Sequence, residues 1–197
     1  MEHFSETMAV ETTGTAMIVR FTRPEIRNPL SLVVLDQIHS ILDDLHLRDK
    51  IETLVFTGSE NSFASGADLR EIANVSAKDA KGFARYGQET MARIASLDVR
   101  TVAAVNGFCF GGALDLALAC RQRVALPTAR FAHPGTGLGI ITGWGGTQRL
   151  PRLVGQADAL EMFFTAEAID ADRAFRIGLV DAVVDDIFRN EILNIET

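Results

Sequence analysis

The chain has 197 residues, 47% of them hydrophobic and 23% charged, which suits one substantial core and argues against a disordered or low-complexity protein. A net charge of −7 and the lack of any Lys/Arg run argue against a nucleic-acid binder held by phosphate contacts. Cys109 and Cys120 sit in apolar surroundings and resemble neither a disulfide framework nor a metal cluster, and no secretory signal opens the chain, so a reduced, cytoplasmic setting without a bound metal is expected.

In chain order, residues 8–11 and 15–23 predict a hairpin turned at Thr12, Thr13 and Gly14. After a turn between Pro24 and Pro29, Ser31 caps a predicted helix over 32–48, with apolar residues at 34, 35, 38, 41, 42 and 45. ETLVFTG (52–58) predicts a buried strand, 59–66 a loop, 67–74 a short helix and 76–97 a longer one. TVAAVN (101–106) lacks polar alternation, as a strand covered on both faces does, and feeds a predicted helix at 111–120. Residues 101–120 carry one charge, Asp115, and nearly reach the length of a membrane span, but Asn106, Gly107, Gly111 and Gly112 break the run. Strand, turn and buried helix are expected there, and no membrane partner.

Short strands are predicted at 123–126 and 129–132, followed by a loop with six glycines between 135 and 146. Helices are expected at 146–153, 158–165 and 171–177, a last strand at 179–184, and a weakly amphipathic tail from 186 to 197. The recurring order strand–strand–helix predicts an α/β fold of stacked ββα turns, with residues 1–185 as the core domain.

Two places run from buried strand through a glycine turn into a helix start: LVFTGSENSFASGADL (54–69) and VAAVNGFCFGGALDL (102–116). A helix start leaves backbone N–H groups unpaired and carries partial positive charge, and glycine admits a ligand atom close to the backbone. Either turn alone reads as ordinary capping. Converging, the two would set two donors around one developing oxyanion, each worth roughly 3–4 kcal/mol. Neither matches the dinucleotide or P-loop glycine patterns, so no nucleotide cofactor is expected.

RNPLS (27–31), FASGADL (63–69), NGFCFGGALDLALAC (106–120) and GWGGTQRLPRLVG (143–155) resemble the signature blocks of the crotonase (enoyl-CoA hydratase/isomerase) superfamily, in its order and spacing and over nearly the whole chain. The resemblance implies a crotonase-like spiral of ββα units with surrounding helices, assembled as a homotrimer or hexamer. It implies acyl-CoA as substrate, with no cofactor beyond that coenzyme A. By motif matching, the oxyanion N–H groups fall on Ala67 and on Gly112, the second of the pair Gly111 and Gly112. The loop Ala67, Asp68, Leu69 and Arg70 matches the one that wraps the pantetheine and adenine, Ser65, Gly66 and Gly111 join the expected substrate-binding residues, and Arg27 and Arg70 are candidate phosphate neighbours.

The family's hydratases place two glutamates around a water molecule. The first position, three residues after the oxyanion glycine, is Asp115, whose neighbours Leu114, Leu116, Ala117 and Leu118 would desolvate a carboxylate and raise its pKa. The same Asp also suits a helix first turn through the dipole alone. Asp is one methylene shorter than Glu, about 1.5 Å of reach. The second position, in FAHPGTGLGI (131–140), is Gly135, which moves no proton. His133, a lone histidine nearby, reads as a satisfied core or surface residue. Thr136 and Trp144 are expected to line the acyl pocket, or, for Trp144, simply to pack. The family's C-terminal helical segment is not evident in DIFRNEILNIET (186–197). Two functions follow: an enoyl-CoA hydratase/isomerase-type enzyme with Asp115 as sole acid/base, or a non-catalytic acyl-CoA-binding or assembly subunit. A decarboxylase or dehalogenase working through a thioester enolate is weaker, for want of a distinct nucleophile.

Overall fold

The computed structural model describes residues 3–45 and 50–187 of the chain. It begins with β1 (His3–Phe4), β2 (Met8–Thr13) and β3 (Ala16–Phe21), then β4 (Pro29–Leu30) and α1 (Leu32–Leu45). Next come β5 (Thr53–Thr57), β6 (Ser62–Ala64), β7 (Gly66–Ala67), α2 (Leu69–Asn74) and α3 (Ala80–Ala95). The middle of the chain forms β8 (Arg100–Val105), β9 (Phe108–Phe110), α4 (Gly112–Ala119), β10 (Gln122–Ala125) and β11 (Arg130–Ala132). A 3-10 turn at Pro134–Leu138 precedes α5 (Gly146–Val154), α6 (Gln156–Thr165), β12 (Ile169–Asp170), α7 (Ala171–Arg176) and β13 (Ala182–Val183).

The strands build two main sheets by alternation. β5, β8 and β10 lie side by side in a seven-stranded sheet of order β1-β2-β3-β5-β8-β10-β13, parallel from β3 onward. Each is followed by a short strand, β6, β9 or β11, in a four-stranded sheet of order β12-β11-β9-β6. The chain therefore climbs in a spiral of strand–strand steps. β5 is buried along its whole length and β8 in all but its first residue, because helices cover one face and a small cluster of Ile18, Val55, Val102, Ala104 and Val124 fills the other. α1 turns Val34, Leu35, Ile38 and Leu42 inward at helical spacing, and Ser31 Oγ accepts the Val34 amide at its start.

Buried asparagines hold the strand-to-strand turns. Asn106 Oδ1 accepts the Gly58 amide at 3.0 Å, and its Nδ2 donates to Glu60 O at 2.9 Å, so the ends of β5 and β8 are stapled together. Asn28 Nδ2 donates to Ser62 O and Phe63 O, tying the RNPLS block to β6. These bonds satisfy backbone carbonyls that the sheets leave over.

Several boundaries differ from the sequence reading. The 59–66 loop contains β6 and opens β7, short strands whose pairing partners lie far along the chain. The following helix starts at Leu69 because Asp68 is its N-cap and accepts the Arg70 amide. Residues 76–79 form a turn, with Ser76 Oγ accepting the Asp79 amide, before α3 begins. β13 is only Ala182–Val183, since the Leu179 amide closes the end of α7 on Ala174 O. Residues 46–48 of the first predicted helix and 188–197 of the tail lie outside the described residues. Among the described residues no helix is long and apolar enough to cross a membrane.

Candidate active site

The two glycine turns meet at backbone contact. Gly66, between β6 and α2, adopts φ +92°, and a Cβ there would lie 2.6 Å from Phe110 O and 2.7 Å from the Gly112 nitrogen. A Cβ on Gly112 would in turn lie 3.2 Å from the Ala67 nitrogen. Only glycines let two chains approach so closely, and the approach brings residues 67 and 112 to the lining of one cavity. Gly112 is the first residue of α4, so its N–H has no intrahelical acceptor. Gly111, with φ +54°, donates its own N–H to Ala132 O and so fixes the turn to β11.

The cavity has a volume of about 270 Å³. Its lining includes the turn residues Ser65, Ala67, Gly111 and Gly112 and the apolar side chains of Leu69, Phe83, Leu138, Ile140 and Trp144. Asp115 and His133 bring titratable groups to that lining. The surroundings are those of an apolar pocket with a few convergent polar groups, the usual form of a small-molecule site.

Asp115 lies one turn along α4 from Gly112 and is fully buried. Its Oδ2 accepts hydrogen bonds from the Thr142 hydroxyl and, at 3.2 Å, from the Trp144 amide. Oδ1 has no hydrogen bond of good geometry among the described residues, although the Gly146 backbone lies against it and its amide also lowers the carboxyl's pKa. Burial pushes the carboxyl up to about 6, although the bonds from Thr142 and Trp144 pull the other way. It is thus ionised at neutral pH yet basic enough to take a proton.

His133 corrects the sequence reading of a satisfied core or surface residue. It is buried, and neither ring nitrogen finds a partner among the described residues. Its Nε2 lies 3.7 Å from Asp115 Oδ1, too far for a hydrogen bond. Burial lowers its pKa to about 4, so the imidazole is neutral at pH 7 and the contact is not an ion pair.

The remaining candidates divide. Trp144 is both wall and packing: its indole lies where Cβ atoms on Gly87 and Gly112 would sit, and it packs 6.0 Å from the Phe83 ring. Thr136 does not face the cavity; its hydroxyl donates to Phe163 O at 2.5 Å. Gly135 borders the cavity, but a Cβ there would lie 3.0 Å from Ile140 O and 3.3 Å from Ile140 Cγ1. Ile140 therefore fills the space beside the vacant carboxylate position. Asp68 acts on the loop: besides capping α2 it binds the Arg70 guanidinium through both oxygens, at 3.0 and 2.7 Å, and those bonds hold its carboxyl below the usual range. Arg70 and Asp68 border a shallow groove next to the cavity. Arg27 lies over the Phe108 ring, 5.5 Å from its centre, and its carbonyl accepts the Ser65 amide. Thr142 escaped the sequence reading, because nothing local marks a threonine within a glycine-rich loop as a carboxylate's partner.

A spiral of strand–strand steps, with two glycine turns opening helices onto one apolar cavity, is the crotonase fold. The chain belongs to the enoyl-CoA hydratase/isomerase family, whose pattern it matches over residues 11–194. It is 41% identical over 180 residues to the crotonyl-CoA hydratase of Syntrophomonas wolfei, covering 91% of this chain and 69% of that protein. It is 38% identical to the short-chain-enoyl-CoA hydratase of Clostridium acetobutylicum, covering 89% of this chain and 68% of that one. Among solved structures, an enoyl-CoA hydratase from Bacillus anthracis superposes with a TM-score of 0.90 at 32% identity, over 96% of this chain and 75% of that one.

Proposed function

We propose that this chain adds water across the double bond of a short-chain enoyl-CoA, with Ala67 and Gly112 holding the thioester oxygen and Asp115 as the only carboxylate moving protons. The carrying observation is the contact of the 66–67 and 111–112 backbones beside a buried carboxylate with one oxygen short of a well-formed hydrogen bond. Water oxygen bonds to C3 while Asp115 Oδ1 takes one of its protons. The C2=C3 electrons pass toward the thioester, and the negative charge on its oxygen meets the two N–H groups. The enolate then takes a proton at C2 from the Asp115 carboxyl, which returns the base to its starting state. The names of the related hydratases support crotonyl-CoA as the substrate to try first.

The apolar wall of Leu69, Phe83, Leu138 and Ile140 suits the acyl chain, and Arg27 and Arg70 suit the coenzyme's phosphates. The homotrimeric or hexameric assembly belongs to the same reading, and a subunit contact there would cover exposed rings such as Phe164 and Phe175, which are 78% and 54% exposed. The deciding experiment follows crotonyl-CoA and 3-enoyl-CoA esters with the purified protein and with Asp115→Asn. Turnover that falls about 10²–10⁴-fold in the variant supports the reading. Acyl-CoA binding by calorimetry with no turnover of any ester would overturn it in favour of a binding subunit.

A further inference from the structure

Two titratable groups in the cavity lining are incompletely partnered. Buried side-chain nitrogens and oxygens lacking a partner among the described residues are Ser62 Oγ, Asp115 Oδ1 and the two ring nitrogens of His133. Three of these four belong to two residues that border the same cavity, with Nε2 and Oδ1 3.7 Å apart. Buried polar atoms ordinarily have partners, and an orphaned group in a folded protein asks for an explanation such as a bound water or a catalytic task. One orphan could be chance.

His133 is also held in place. It follows β11 directly, its ring packs at 5.2 Å against the Phe163 ring, and its Cε1 lies 3.0 Å from where a Cβ of Gly146 would sit. Gly146 begins α5, and a Cβ there would also lie 2.1 Å from Asp115 Oδ1. A larger residue at 146 would thus disturb both the imidazole and that carboxylate oxygen. Packing fixes the ring and leaves both nitrogens without a hydrogen-bond partner among the described residues. Meanwhile the position where a second carboxylate would stand carries Gly135, and Ile140 closes it.

We propose that His133 takes over the water-holding work of that vacant position: its ring and Asp115 Oδ1 grip the same water molecule, the one that attacks C3. This rests on the hydratase reading above. The neutral imidazole accepts the water's second O–H at its unprotonated nitrogen, so the oxygen's lone pair is turned toward C3. Asp115 removes the first proton and later returns it to C2. His133 neither gains nor loses a proton overall, and the sum is one water added to one enoyl thioester. His133 is a catalytic residue in the sense that it touches the reacting water.

The test compares wild type with His133→Phe, His133→Leu and His133→Asn in steady-state hydration of crotonyl-CoA, with melting temperatures alongside. In the Phe variant kcat should fall about thirtyfold or more, as expected when a reacting group is misplaced, with KM within about threefold, because the histidine grips water rather than the acyl-CoA. The Asn variant, whose amide can hold the same water, should recover at least a third of the loss on a logarithmic scale. The Phe ring removes two orphaned nitrogens, so its melting temperature should equal or exceed that of wild type. If it melts lower, the Leu variant decides by the same criterion. An active wild type with unchanged kcat in the Phe or Leu variant overturns the role of His133 and leaves the hydratase reading intact. A wild type inert toward every enoyl-CoA ester overturns both.

Discussion

Gly66→Ala tests whether contact between the two turns sets the geometry of the proposed oxyanion site. Its Cβ would lie 2.6 Å from Phe110 O and 2.7 Å from the Gly112 nitrogen, both backbone atoms that cannot rotate away. Ordinary carbon–oxygen contacts fall near 3.3–3.6 Å, so the turns must part by about 0.7 Å. A misplacement of about 1 Å can cost about 10²-fold in rate, which puts the expected loss at roughly thirty- to a hundredfold. The φ of +92° adds strain of about 1–3 kcal/mol for a residue with a Cβ. For a chain of this size that lowers the melting temperature by roughly 2–12 °C. Gly14→Ala is the control: Gly14 has φ +60°, and nothing lies within 4 Å of its Cβ position. It should share a fall in melting temperature and keep its rate within about twofold. Initial rates of crotonyl-CoA hydration and thermal melts of both variants give the answer. Should Gly66→Ala keep a third or more of the wild-type rate while folded, the contact between the turns does not set the reaction geometry.

Other outcomes follow from Asp115, Trp144 and Asp68. Because Asp115 titrates near 6 when folded and near 3.8 in a free chain, the folded state holds more protons between those values, and its contribution to stability falls as pH rises through that window. Asp115→Asn should therefore raise the melting temperature at pH 7, by up to about 3 kcal/mol of stability, with the gain shrinking below pH 6 in calorimetric scans. The same titration makes hydration fade as pH drops through about 6, visible in the kcat/KM profile of wild type. Trp144→Ala should cost about 3–5 kcal/mol in chemical denaturation, since the indole fills the space between α3 and α4. As Trp144 is the single tryptophan of the chain, wild-type fluorescence should change on acyl-CoA binding. Asp68→Ala removes the α2 cap and the double contact to Arg70, for an expected loss of about 0.5–2 kcal/mol in denaturant melts and a weaker affinity for acyl-CoA by calorimetry.

Local pattern alone determined much of this protein. The apolar spacing of α1, the unbroken hydrophobic strands β5 and β8, and the two strand–glycine–helix turns are legible because each depends on a few neighbouring residues and a fixed backbone period. The same periodicity carries Asp115 into the buried run of α4, where its apolar neighbours foretell a raised pKa. What surrounds that carboxylate was decided by tertiary structure. Thr142 and the Trp144 amide reach it from a loop whose glycines permit many paths, and packing against α3 and α4 selects one. In the same way Thr136 turns to Phe163, Ile140 closes the space beside Gly135, and His133 ends with its nitrogens unpaired next to Asp115. A glycine-rich segment carries little conformational preference of its own, so its side chains take their partners from contacts made far along the chain.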